Sequence, residues 1–213
     1  MASERGAVGR FLSGLVLASA PLLGRFGLRP NMLTFASLVP AVGSGVAAAA
    51  GAFYVAAGCL LLSAACDLFD GPLARATGTT SRFGALLDST IDRLADAAPL
   101  LGLTVFYAAH GWIAVVPALA ILGGYTVSYV RARAEGLEIK LPPLWMRRPE
   151  RIALTAVALL LADVGMLDLT VPAPLTLALL AVLAALSLVA SAHALWTAKL
   201  LTSSPAGGPQ ARQ

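Results

Sequence analysis

Apolar residues gather in six blocks along the chain, near Met32–Ala50, Phe53–Phe69, Gly84–Ala108, Trp112–Tyr129, Ile152–Leu167 and Pro172–Trp196. A hydrocarbon core about 30 Å thick needs about 20 residues of α-helix, and the blocks match that length. Lipid offers the backbone no hydrogen-bond partner, so a spanning segment must satisfy its own amides, as a helix does. The pattern therefore predicts an all-α fold, an integral membrane bundle of six transmembrane helices. Residues 30–201 form that bundle in this reading. Residues 1–29 form an interfacial amphipathic helix and a turn, and the Ser/Gly/Pro/Gln-rich residues 202–213 form a disordered tail. The stretch RFLSGLVLASAPLLG has the outline of a signal peptide. Cleavage there would strand Arg25 and Arg29 on the wrong side of the membrane, which favours the interfacial helix. Pro30 then suits the first turn of the first spanning helix.

Composition sharpens this picture. The chain is 58% hydrophobic and 12% charged, with a mean hydropathy of +0.82. A soluble domain of 213 residues could not bury that much apolar surface. All 15 Lys and Arg fall on one side of the six-helix arrangement or in helix ends on that side. The links at Gly51–Ala52, His110–Gly111 and around Asp163–Leu169 carry none. By the positive-inside rule, both termini face the cytoplasm of a cell membrane. The net charge of +4 is thus an orientation signal, not a nucleic-acid footprint. Cys59 and Cys66 both sit in the second block and read as small core residues; they have no spacing or companions for zinc or a disulfide.

Four aspartates break the apolar pattern. Asp67 and Asp70 are three apart at the end of the second block, and Asp88 and Asp92 are four apart at the start of the third. Each spacing puts its pair on one helix face. The short connection predicts antiparallel neighbours, so all four carboxylates can converge near the cytoplasmic interface. Carboxylates at that depth need a partner. An all-oxygen set without His or Cys selects Mg²⁺ or Mn²⁺ over Zn²⁺, and four carboxylates can hold two ions. Such a pair clamps a phosphate, so the spacing points to metal-dependent phosphoryl transfer. Gly71 and Pro72 follow Asp70 directly and predict an interruption of the second helix.

The run Asp67-x2-Asp70-Gly71-x2-Ala74-Arg75-x8-Gly84-x3-Asp88-x3-Asp92 resembles, position for position, the signature of the CDP-alcohol phosphotransferases. The resemblance spans eight fixed residues and a six-helix length. It implies an enzyme in which a hydroxyl attacks the β-phosphate of a CDP-linked lipid and CMP leaves. It further implies that Asp67, Asp70 and Asp88 bind one metal ion and Asp70, Asp88 and Asp92 a second, with Asp92 also the general base. By the same resemblance Gly71, Arg75 and Ser81 contact the CDP moiety, together with the turn Arg29, Pro30, Asn31 and Met32. Pro30 and Thr34 resemble the family's N-terminal Pro-x-x-x-Thr element. A homodimer is likewise implied.

The acceptor is read from five arginines. SYVRARAEG and RRPER place Arg131, Arg133, Arg147, Arg148 and Arg151 beside the same opening. Clustered guanidiniums suit an acceptor that itself carries phosphate, and Arg131, Arg133, Arg148 and Arg151 are the expected contacts. Arg147 is expected to point elsewhere. With LLDSTIDRLAD, these segments are similar to phosphatidylinositol phosphate synthases, which use inositol 1-phosphate. Arg131 stands where that pattern has lysine, and Ser191 where it has arginine. Glycerol 3-phosphate is the alternative acceptor. A cation-coupled transporter is the reading from another class, but the acidic cluster is one-sided and no inverted repeat is visible.

Overall fold

The computed structural model describes residues 30–162 and 172–203. They form six α-helices and one short 3₁₀ turn. The helices are α1 (Pro30–Ala49), α2 (Phe53–Ala76), α3 (Arg82–Ala108), α4 (Val115–Gly136), α5 (Arg148–Leu160) and α6 (Pro174–Ser203), with the 3₁₀ turn at Gly111–Ala114 before α4. No strand occurs among the described residues. The protein is an all-α, multi-pass membrane protein. The expected N-terminal interfacial helix and Arg29 lie outside the described residues, as does the chain beyond Ala162 that the fifth block was expected to include.

Among the described residues, four stretches are long and apolar enough to cross a membrane: Asn31–Ala49, Phe53–Arg75, Gly111–Gly136 and Pro174–Ser203. The stretch of α3 up to Asp96 is too charged to qualify, with Asp88, Asp92, Arg93 and Asp96 in it. The 13 residues of α5 reach only about 20 Å. Two boundaries differ from the sequence reading. The Gly71-Pro72 pair does not stop α2, which runs on to Ala76 with Pro72 inside it. Proline withholds one amide from the preceding turn, yet packing carries the helix through it. The expected tail starts inside a helix, since α6 continues through Thr202 and Ser203.

The core is built from small residues. Ala41, Ala48, Ala56, Ala57, Ala158, Ala190 and Ala194 are fully buried. Within lipid, apolar attraction between helices is weak, so close backbone packing has to hold the bundle. At the α1–α3 crossing a Cβ on Gly45 would lie 2.6 Å from the Ala98 carbonyl oxygen, and one on Gly102 would collide with the Gly45 carbonyl. At the α4–α6 crossing, a Cβ on Gly123 would lie 2.8 Å from that of Ser187. Large apolar side chains such as Val39, Val105 and Trp112 point outward, as a lipid-facing surface requires. At the end without lysine or arginine, the fully buried Tyr107 hydroxyl donates to the Ala173 carbonyl at 2.9 Å and ties α3 to the start of α6.

The expected neighbour relation of α2 and α3 needs correction. Their direct contact is slight; α1 packs extensively on both, α5 packs on α2, and α4 pairs mainly with α6. The two aspartate-bearing helices therefore leave space between them at the charged end, and the carboxylates border that space.

Candidate active site

Asp67 and Asp70 project from α2 one turn apart, and Asp88 and Asp92 from α3. One carboxylate oxygen each from Asp67, Asp70 and Asp88 lies within 4.8 Å of the others, close enough for a shared metal ion. Asp70 is 7% exposed and accepts a hydrogen bond from the Thr34 hydroxyl of α1 at 2.7 Å. Thr34 in turn belongs to a buried polar seam, in which Ser37 donates to the Thr34 carbonyl and Ser63 to that of Ser37. Such outer contacts fix a ligating carboxylate in one rotamer.

Asp92 faces the other side of the cluster, towards α5. The Nη1 of Arg148 hydrogen-bonds Asp67 Oδ2, and lies 2.9 Å from Asp92 Oδ1 in an ion pair without hydrogen-bond alignment. Its Nε donates to Asp96 Oδ1 at 3.0 Å. Arg151, 9% exposed, donates to Asp96 Oδ2 at 2.9 Å and to the Met146 carbonyl at 3.0 Å. Formally, five carboxylates meet two guanidiniums here, which leaves three negative charges uncompensated. Asp67 Oδ1 is also buried with no hydrogen-bond partner, and Asp92 Oδ1 has only its ion pair with Arg148. Buried carboxylate oxygens so poorly satisfied are costly. A hard divalent cation supplies both the missing charge and the missing partner, so the donor set fits a metal ion.

Two clefts flank the cluster. The first is bordered by Asn31 and Thr34 of α1, by Asp70, Gly71, Ala74 and Arg75 of α2, and by Ser81, Gly84 and Asp88 at the start of α3. Ser81 caps α3, its hydroxyl accepting from the Gly84 amide at 2.9 Å. Side chains beyond glycine at position 84 would crowd this wall, because a Cβ there meets Ser81 Oγ at 3.1 Å and Asn31 Oδ1 at 3.5 Å. The second cleft is bordered by Asp92 and Arg93 of α3, Ser128 and Arg131 of α4, and Arg147, Arg148 and Arg151 at the start of α5. The acidic cluster is the partition between the two.

Most of the residues singled out in the sequence come together here. Asn31, Gly71, Arg75 and Ser81 border the first cleft, whereas Met32 is exposed and does not. Pro30 opens α1. Arg131, Arg148 and Arg151 border the second cleft; Arg133 is exposed and lies off it. Arg147, expected to point elsewhere, borders that cleft too, held by Glu150 at 2.7 Å. It caps α5 from an extended backbone, which keeps it beside Arg148. Ser191 is buried within α6, donating to the Ser187 carbonyl at 2.9 Å, and does not border the cleft. Asp96 was missed as a site residue. Its signal was present: Asp88, Asp92 and Asp96 recur at four-residue steps along one face of α3.

Residues 28–203 match the profile of CDP-alcohol phosphatidyltransferase. The chain belongs to the CDP-alcohol phosphatidyltransferase family. Among its relatives is a phosphatidylinositol phosphate synthase of Mycolicibacterium smegmatis, 32% identical over 178 residues, which cover 81% of this chain and 80% of that one. A phosphatidylinositol phosphate synthase of Mycobacteroides abscessus is 37% identical over 141 residues, 64% of this chain and 63% of the relative's length. The Mycobacterium tuberculosis phosphatidylinositol phosphate synthase with CDP-DAG bound is similar in structure, with a TM-score of 0.76, 25% identity, and coverage of 92% of this chain and 98% of that one. The same Mycobacterium tuberculosis enzyme in complex with manganese and citrate also gives a TM-score of 0.76, at 26% identity, covering 89% of this chain and 90% of that one. The CDP-alcohol phosphatidyltransferase signature thus coincides with the carboxylate partition between the clefts.

Proposed function

We propose that this protein transfers a phosphatidyl group from CDP-diacylglycerol to a phosphorylated alcohol, inositol 1-phosphate, with release of CMP. One observation carries the reading: a cation-ready carboxylate cluster separates a cleft bearing the family's CDP-side residues from a cleft lined with arginines. The donor's head group enters the first cleft, against Asn31, Gly71, Arg75 and Ser81, while its acyl chains stay in lipid. The acceptor enters the second, with its phosphate at the arginines and its hydroxyl towards Asp92.

Asp67, Asp70 and Asp88 would hold one divalent ion, and Asp70, Asp88 and Asp92 a second, Mg²⁺ or Mn²⁺. When bound, the ions supply charge neutralisation for the phosphates. The chain's own residues do the rest. Thr34 keeps Asp70 turned into the cluster. Asp92 takes the proton from the acceptor hydroxyl as its oxygen bonds to the lipid-bearing phosphorus. The bond from that phosphorus to the bridging oxygen breaks, and CMP departs with the electron pair. Arg75 holds a donor phosphate as a charge-assisted contact. The site and both termini face the cytoplasm in this reading, following the arginine and lysine distribution. A homodimer fits the family resemblance.

CMP release by the purified protein, with Mg²⁺ or Mn²⁺ and CDP-diacylglycerol, tests the reaction across an acceptor panel of inositol 1-phosphate, glycerol 3-phosphate, inositol and serine. Turnover only with inositol 1-phosphate is expected. Preference for glycerol 3-phosphate would move the acceptor assignment, and preference for an unphosphorylated alcohol would remove it.

A further inference from the structure

Arg148 and Arg151 both border the acceptor cleft, but their donors are used differently. Arg151 is buried, with Nη1 on the Met146 carbonyl and Nη2 on Asp96 Oδ2, and with Ser128 Oγ 3.5 Å from Nη2. Its Nε lies against α4 at Gly124, where an added Cβ would approach it to 3.3 Å. Met146 sits at φ 58°, a left-handed conformation that a side-chain-bearing residue adopts at a cost. That backbone turn aims its carbonyl at the Arg151 guanidinium. Arg148 is 20% exposed at its side chain and reaches the acidic cluster. What joins the two is Asp96, whose oxygens are divided between them, Oδ1 to Arg148 Nε and Oδ2 to Arg151 Nη2.

We propose that Asp96 is a positioning residue that sets the acceptor's phosphate site, fixing Arg148 through a strut made of Arg151 and the Met146 carbonyl. The inference rests on the reading of the second cleft as the acceptor site. Arg148 is then the guanidinium that meets the phosphate, next to Asp92, and Arg151 holds the frame. A guanidinium anchored through Nε keeps its plane, so the face it presents to phosphate is set before the acceptor arrives. An amide at position 96 breaks this arrangement. It retains one acceptor oxygen but turns an NH₂ group towards one of the two guanidiniums, donor against donor.

The test uses the full-length protein in detergent or nanodiscs, with Asp96→Asn and Asp96→Glu beside wild type. Three quantities are measured: KM for inositol 1-phosphate, KM for CDP-diacylglycerol, and the inhibition constant of inorganic phosphate against the acceptor. In Asp96→Asn, acceptor KM and phosphate inhibition constant should rise together by about tenfold or more, with the donor KM within about twofold of wild type. Asp96→Glu keeps the charge and both acceptor oxygens and should recover part of the loss. Thermal unfolding reports whether each variant is folded. If Asp96→Asn does not fold, Asp96→Glu carries the test, with an acceptor KM raised severalfold at constant donor KM. Unchanged acceptor KM and phosphate inhibition in a folded variant, or equal rises in both KM values, would overturn the positioning role while wild-type turnover keeps the proposed reaction standing. Failure of the wild-type protein to use or bind any phosphorylated alcohol would overturn both.

Discussion

Asp70 and Asp88 belong to the carboxylate cluster with Asp67, and the proposed ion arrangement uses each of the two twice. Asp70→Asn and Asp88→Asn should therefore abolish CMP release while thermal unfolding stays close to wild type, because an amide fills the same volume. Near-wild-type turnover in either variant would sink the two-ion assignment. Asp92→Asn separates base from ligand. Positioned proton transfer contributes about 10²–10⁴-fold, so the rate should stay low at saturating metal. Full recovery with excess metal would leave Asp92 as a ligand alone. The arginines divide by exposure. Arg148→Ala should raise acceptor KM by about tenfold to a hundredfold, the loss of a charge-assisted contact worth roughly 1.5–3 kcal/mol. Arg147 shares the cleft but is over half exposed and paired with Glu150, so Arg147→Ala should matter less. Equal, small effects at both positions would mean that the cluster serves orientation only. Much of this was legible in advance, since a carboxylate inside an apolar block stands out by its cost. Asp96 was harder to read because charge alone does not say which partner a carboxylate will find, and the Arg148–Asp96–Arg151 bridge crosses more than fifty residues of chain.

At the scale of the helix, apolar runs identified the six described helices, and in four of them length and hydropathy meet what lipid demands. Their ends were less legible. A Gly-Pro pair reads as a stop in isolation, yet α2 passes through it, since the turn that carries Asp70 is held from outside by Thr34. Pairing was the least legible feature. A short loop predicts that α2 and α3 are partners, but backbone proximity is decided by glycine, and the glycines join α1 to α3 at Gly45 and Gly102. This crossing sets how far α3 stands from α2, and thereby the width of the partition. Gly102→Ala should push α1 and α3 apart. Overpacking of this kind costs typically 1–3 kcal/mol, so a clear fall in unfolding temperature is expected, together with loss of turnover. Gly58→Ala is the control, with nothing within 4 Å of its Cβ position. Equal stability in the two variants would show that the crossing tolerates expansion and does not set the site's geometry.

For the molecule as a whole, the chemistry depends on a boundary. One proposed substrate is a lipid and the other is water-soluble, so the clefts must open at the membrane surface that the polar substrate can reach. The basic residues support one arrangement. Arg75 and Arg82, which flank Thr77–Ser81, and the connection Leu137–Arg147 lie at the end of the bundle that holds the aspartates, whereas His110 and Gly111 lie at the other. Arginine and lysine are retained on the cytoplasmic side during insertion, so the proposed reading expects the aspartate end there. That orientation can be read directly in cells. In a background with Cys59→Ala and Cys66→Ala, single cysteines at the exposed positions Thr80, Lys140 and His110 should react unequally with a membrane-impermeant maleimide. His110→Cys should label in intact cells, whereas Thr80→Cys and Lys140→Cys should label only after permeabilisation. The reverse pattern would put the carboxylates and arginines on the outer face, away from cytoplasmic CDP-lipid and sugar phosphates, and the proposed reaction would lose its supply of both substrates.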